Sequence, residues 1–151
     1  MGEREQAVAL KLFVVLSRAF HAVQRHAEAD IGRHGLTPGE FAIMEVLHHK
    51  GPLLLGEVQR KILASSGGVT YLVDRLERNG LVERRACPTD RRARYAALTG
   101  KGEALMEQIF PEHAAALERA LSGLDVGEQK AAIELLRKLG TTAADMPTVT
   151  V

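Results

Sequence analysis

The sequence predicts a mainly α fold with a small antiparallel sheet, an α+β class, and three observations predict it. Apolar residues recur at helical spacing over most of the chain, as in Phe13, Leu16, Phe20, Val23 and Ala27. Two capping-box signatures, Thr37-Pro38-Gly39-Glu40 and Asp125-Val126-Gly127-Glu128, open helices at separate places. One region breaks the helical period. Leu81 to Arg85 and Arg94 to Leu98 each suit a strand, with the polar turn Cys87-Pro88-Thr89-Asp90-Arg91-Arg92 between them.

The elements follow in order. From about Glu3 to Arg33 the heptad-like stripe predicts a long helix, widened by Leu10, Val14 and Ile31 and ended at Gly35. Its apolar face exceeds what one small lobe can cover, so part of it is expected to meet another subunit. Pro38 at a first helical position starts the second helix, with Phe41, Met44 and Leu47 inward, and this helix stops before Gly51. Pro52-Leu53-Leu54 is short enough to serve as a third strand. Leu55 to Ile62 is amphipathic through Leu55, Val58 and Ile62, and Leu63-Ala64 makes a tight connector. Ser65 and Ser66 offer hydroxyls to the orphan N–H groups of the next helix. Val69, Leu72, Val73 and Leu76 form its stripe, and Asn79-Gly80 stops it. Two short helices joined by a tight turn, at about residues 55–79, make a helix-turn-helix. The hairpin after it, at about 81–98, is then a wing, and residues 54–99 form the core. Thr99 can cap a helix from about Lys101 to Leu121, which Pro111 should kink. A last helix carries Ala132, Leu135, Leu136 and Leu139, Gly140 closes it, and the tail from Thr141 to Val151 is expected to fray.

The stretch SSGGVTYLVDRLERNG followed by GLVERRACPTDRRARYAALTGKG resembles the winged-helix core of MarR-type transcriptional regulators. The resemblance is dense over about Leu36 to Gly102. It implies one MarR-type domain over residues 1–151, with residues 3–34 and 101–140 as dimerisation helices. It also implies an effector crevice between those helices and the winged-helix lobe. Phe20, His21, Phe41, Met44, Glu45, His48, Ile109 and His113 are the candidates to line it.

Charge supports a nucleic-acid partner through its distribution. The chain of 151 residues, 46% hydrophobic and 26% charged, has a net charge of only +1. Residues 55–95, however, hold nine Lys/Arg against five Asp/Glu, whereas residues 96–151 hold five against eight. The positive excess lies on the helix-turn-helix and wing, where phosphates would be.

Candidate DNA contacts can be named on that basis. Of Ser65 and Ser66, one is expected to cap the recognition helix and the other to touch DNA near its N-terminus. Gly68, with Gly67, suits either close approach to DNA or a loosely formed first turn. Thr70, Tyr71, Asp74, Arg75 and Arg78 share the polar face. Arg75 suits a bidentate contact to guanine, and Tyr71 a phosphate or a thymine methyl. Asp74 suits a structural role, orienting an arginine by an ion pair. Asp90, Arg91 and Arg92 match the family's wing-tip pattern, so the arginines are expected in the minor groove with Asp90 steadying the hairpin. Where Tyr71 stands the family often has an arginine or another polar residue, which leaves the operator sequence open.

Other chemistries find little support. The single cysteine, Cys87, excludes an internal disulfide and a Cys-rich zinc site. Arg84 and Arg85 beside it could lower its pKa. The six histidines His21, His26, His34, His48, His49 and His113 show no ligand spacing with an acidic partner, so neither metal nor cofactor is expected. Gly100-Lys101 is not a phosphate-binding loop, and no nucleophile has an evident base, so an enzyme is not expected. The charged N-terminus lacks a signal-peptide core, and no stretch approaches the ~20 apolar residues of a bilayer span. A cytoplasmic homodimer is therefore expected, a repressor that leaves a palindromic operator when a small molecule binds. The alternatives are a metal- or thiol-responsive regulator of the same fold, or a winged-helix interaction module without specific DNA binding.

Overall fold

The computed structural model describes residues 2–62 and 66–149. These residues hold six helices and three strands. In order they are α1 (Glu3–Arg33), α2 (Pro38–Lys50), β1 (Leu53–Leu54), α3 (Leu55–Ile62), α4 (Ser66–Arg78), β2 (Val82–Cys87), β3 (Asp90–Leu98), α5 (Gly100–Ala120) and α6 (Val126–Asp145). The chain divides into two compact units, residues 1–117 and 118–151.

In the first unit the caps predicted from sequence set where helices begin. The Thr37 hydroxyl accepts the Glu40 N–H at 3.2 Å while the Glu40 carboxylate accepts the Thr37 N–H, with Pro38 at the first position of α2. Thr99 caps α5 through the Gly102 N–H at 3.1 Å. Gly102 has no room for a side chain, since an added Cβ would collide with the backbone carbonyl of Leu81. The sheet has strand order β1-β3-β2 and is antiparallel throughout, with Leu53 opposite Ala96 and Arg84 also opposite Ala96 across the other edge.

One apolar core joins these elements. Phe41, Ile43, Met44 and Leu47 of α2 pack with Val58 of α3, Val69, Val73 and Leu76 of α4, and Met106 and Ile109 of α5. The helical period predicts these faces except at Ile43, which is buried beside the inward positions Phe41, Met44 and Leu47. α1 contributes only its last turns to it, where Asp30 and Ile31 are its buried residues. There Asp30 accepts from Arg33 at 2.6 Å and pairs with His113 Nδ1 at 3.1 Å, and the His113 ring packs on Phe41. Burial pushes the Asp30 carboxyl up, but the hydrogen bonds from Arg33 and His113 and the charges of Arg33 and His34 bring it below its ordinary 3.8.

Three expectations need correction. The wing turn is only Pro88-Thr89, so Asp90, Arg91 and Arg92 belong to β3. A register irregularity between Ala86 and Cys87 lets Cys87 face Asp90 and lengthens the hairpin into what composition marks as loop. The second concerns hydropathy: α1 is long and apolar enough, by length and composition, to cross a membrane. Counting uninterrupted apolar residues misses this, because Lys11 and Arg18 break the run without outweighing it. The third lies in the second unit. Asp125 caps α6 from Glu128 at 2.8 Å as expected, but α6 runs through Gly140 to Asp145. A glycine costs about 1 kcal/mol inside a helix without ending it. Pro147 ends this one, since the residue before a proline is driven to extended backbone and Met146 adopts φ −77°, ψ 136°.

Candidate nucleic-acid interface

The helix pair α3–α4 and the hairpin β2–β3 are consecutive, and the buried Leu81 and Val82 that follow α4 seat the hairpin on the core beside it. Gly80, at φ 73°, supplies the left-handed turn between them. A second tie comes from Thr99, whose hydroxyl donates to the Gly80 carbonyl at 2.6 Å, and from Lys101 Nζ, which donates to the Asn79 carbonyl at 2.9 Å. The end of α4, the start of β2 and the start of α5 are thus locked together.

On α4 the apolar stripe points inward and leaves Thr70, Tyr71, Asp74 and Arg78 exposed. Gly68 is half-buried in the first turn. Ser65 lies outside the described residues, as does the side chain of Ser66, with which α4 begins. Tyr71 is 56% exposed. Arg75 is only half-exposed and is held on two sides. Its Nη1 donates to the Tyr71 hydroxyl at 3.4 Å, its guanidinium carbon lies 5.9 Å from the Tyr71 ring centroid, and its Nη2 is 3.7 Å from Glu40 Oε1. The hydrogen bond to Tyr71 and the Glu40 charge raise the Arg75 pKa further. Tyr71, Arg75, Arg78 and Asn79 line a concavity of about 320 Å³.

Asp74 pairs with Arg84 of β2 at 2.7 Å, and Glu77 takes the same guanidinium at 3.1 Å and the Arg84 N–H at 3.0 Å. These contacts brace the recognition helix against the wing. Arg85 is paired to Glu83 within its own strand at 2.7 Å.

The wing arginines are placed differently. Arg91 and Arg92 are exposed and make no ion pair among the described residues. The Asp90 carboxylate accepts the Arg92 backbone N–H at 2.9 Å, so it shapes the strand and leaves the guanidinium unengaged. Arg94 reaches back to the Arg91 and Ala93 carbonyls, each at 3.0 Å. A second concavity, also about 320 Å³, brings Arg92 and Arg94 together with Arg60 of α3 and the chain at Leu54 to Glu57. Sequence reasoning missed Arg60, and it left open that Arg84 is the arginine Asp74 holds. Arg60 sits on the polar face of the amphipathic α3, a signal that was present; the role of Arg84 depends on a strand pairing no local pattern reveals.

Of the candidate effector residues, Phe41, Met44, Ile109 and His113 come together in the core, while the others are dispersed. Phe41, Met44 and Ile109 are buried core side chains, as their helical apolar spacing also implies. His113 is buried against Asp30 and Phe41, and half-buried His48 pairs with Glu103 at 2.9 Å. Glu45 is half-buried, while Phe20 and His21 are exposed on α1. Cys87 is half-buried, with its thiol 3.4 Å from the Thr89 hydroxyl. That hydrogen bond, with backbone N–H groups of Thr89 and Asp90, lowers its pKa; Arg84 and Arg85, already paired with acids, are not the cause. Among the described residues no group of three or more His, Cys, Asp or Glu is placed to hold a metal ion.

Comparison with known proteins fits this arrangement. A family model described as MarR family matches residues 34–93. The HTH-type transcriptional regulator MhqR of Bacillus subtilis (strain 168) is 46% identical over 134 residues, covering 89% of this chain and 92% of MhqR. YkoM of the same organism, an uncharacterized HTH-type transcriptional regulator, is 44% identical over 92% of this chain and 90% of its own. Among solved structures, Sco3205 from Streptomyces coelicolor, a MarR family transcriptional regulator in complex with DNA, has a TM-score of 0.82 at 24% identity. That match covers 98% of this chain and 95% of Sco3205.

Proposed function

The chain belongs to the MarR family of transcriptional regulators, not to an enzyme family, and from that premise we propose that it is a cytoplasmic homodimeric repressor of a palindromic operator. α4 would enter the major groove with Thr70, Tyr71 and Arg75, while Ser65, Ser66 and Gly68 approach the backbone at its N-terminus. Arg91 and Arg92 would grip the flanking minor groove and phosphates. One observation carries this reading: Arg91 and Arg92 are exposed on the wing and Arg92 shares a concavity with Arg60 of α3, and none of the three arginines has an ion pair among the described residues. A phosphate backbone would supply counter-charge to these guanidinium groups, and their place on a wing that follows a helix-turn-helix favours that role over a merely solvated surface.

Exposed apolar residues support the dimer. On α1, Leu10, Phe13 and Phe20 are 68%, 69% and 61% exposed, and on α6 Leu135 is 69% exposed. A second copy would cover α1 and α6, and two recognition helices would then meet half-sites about 34–36 Å apart, one turn of DNA. Release would follow from a small molecule that binds better to a dimer geometry in which this spacing is lost.

The test is selection from random duplex DNA combined with sedimentation. Enrichment of a palindrome with half-sites about one turn apart, bound by two chains, is the expected result. A monomer at micromolar concentration, or no enriched sequence, would overturn the proposal.

A further inference from the structure

The tether on Arg75 divides the work of the recognition helix, and it starts from a buried carboxylate. Glu40 is 2% exposed. A carboxylate removed from water needs partners, and besides the Thr37 N–H it faces Arg75 Nη2, 35 positions along the chain, at 3.7 Å. The first turn of α2 lies against α4 at Gly39, where an added Cβ would stand 2.8 Å from Leu72 Cδ1 and that side chain would have to shift. The other terminal nitrogen of Arg75 donates to the Tyr71 hydroxyl. Bidentate reading of a guanine needs two N–H groups aimed together at O6 and N7. Here each terminal nitrogen already has a partner within the chain, so the orientation of the guanidinium plane is set by Tyr71 and Glu40.

We propose that Tyr71 is the base-reading side chain of α4, and that Arg75, anchored by Glu40, is a positioning residue that fixes Tyr71 and sets the direction of its hydroxyl proton. The proposal rests on the DNA-reading function above. A phenol oxygen that accepts from Arg75 keeps its own O–H to donate, and this selects a base edge that accepts. In the major groove those are the N7 and O6 of guanine, the N7 of adenine and the O4 of thymine; the N4 amino group of cytosine offers that proton no acceptor and is disfavoured. Glu40 therefore does two jobs, closing the cap of α2 and holding the charge that orients Arg75.

Glu40→Gln separates the two jobs, because glutamine serves a capping box as glutamate does but carries no charge. With the duplex selected by the unaltered protein, binding is measured against all four bases at each position. Tyr71→Phe should lower discrimination at one position by about five- to tenfold, the worth of one hydrogen bond. Glu40→Gln and Arg75→Gln should lower it at that same position, by about two- to fivefold, with the salt dependence unchanged. Glu40→Gln should move the melting temperature by no more than about 4 °C. Relaxation by Arg75→Gln at a position different from that of Tyr71→Phe would make Arg75 a base reader in its own right and overturn the proposal. So would a folded Glu40→Gln protein with base preference intact; if that variant does not fold, Arg75→Gln alone decides. Should the unaltered protein select no sequence, the DNA-reading function itself fails, a result distinct from variants that miss a shared position.

Discussion

The recognition helix and the wing are adjacent in sequence and both carry arginine, yet they hold it in opposite ways. On α4, Arg75 is caught between Tyr71 and the buried Glu40. On β3, Arg91 and Arg92 extend from a strand whose side-chain braces engage backbone, Asp90 accepting the Arg92 N–H and Arg94 donating to the Arg91 and Ala93 carbonyls. The difference matches two physical tasks. Base edges must be met within a narrow geometry, so a fixed side chain loses little freedom on binding. Phosphates are a continuous field, and an unpaired guanidinium meets it from many positions. Arginine count alone would rank the wing, with five, above α4, with two; how the arginines are engaged is what separates their tasks.

The largest test of the comparison removes the joint between the two surfaces. Gly102→Ala drives a methyl into the Leu81 carbonyl, where backbone must yield, and should cost about 3 kcal/mol or more in thermal unfolding. DNA binding should then fail on both surfaces together. Asp30→Asn, distant in the chain from both, should cost about 1–3 kcal/mol through lost charged hydrogen bonds. Because the Asp30 pKa is lowered on folding, its contribution is present above 3.8 and lost as pH falls through the lowered value. Melts in acid should show the variant and unaltered protein converging, with base preference the same in both at neutral pH. Arg91→Ala with Arg92→Ala should weaken every duplex by about tenfold and flatten the salt slope by about two contacts, measured by titration at several salt concentrations. The smallest effect belongs to Arg84→Ala. Its ion pairs with Asp74 and Glu77 are partly solvated, so melting should shift by under about 1 kcal/mol.

Much of the fold was legible because it is local. The helical stripe of α1, the boxes at Thr37 and Asp125, and the cap at Thr99 are patterns within a few residues, and the chain obeys them. Gly140 misled because a single glycine weakens a helix without stopping it, while Pro147 acts on the residue before it. Arg91 and Arg92 were legible as wing residues but not as strand, since turn composition does not reveal register. The site was least legible where it depends on distant contacts. Glu40 reads locally as a cap and nothing more; its hold on Arg75 exists only once α2 and α4 pack. Phe41, Met44 and Ile109 show the converse, for spacing that suits a pocket also suits a core, and in this chain they are core.

The most direct measurement sets a helix variant beside a wing variant on one selected operator. Tyr71→Ala and the Arg91→Ala, Arg92→Ala pair would each be titrated against the operator and its single-base variants, at low and high salt. The account predicts that Tyr71→Ala loses discrimination at one base while its salt slope is kept. It predicts that the wing pair keeps discrimination while its slope falls by about two. If both variants lose discrimination and slope in the same proportion, the two surfaces do not divide the work, and the contrast between a tethered and an unengaged arginine has no meaning for DNA.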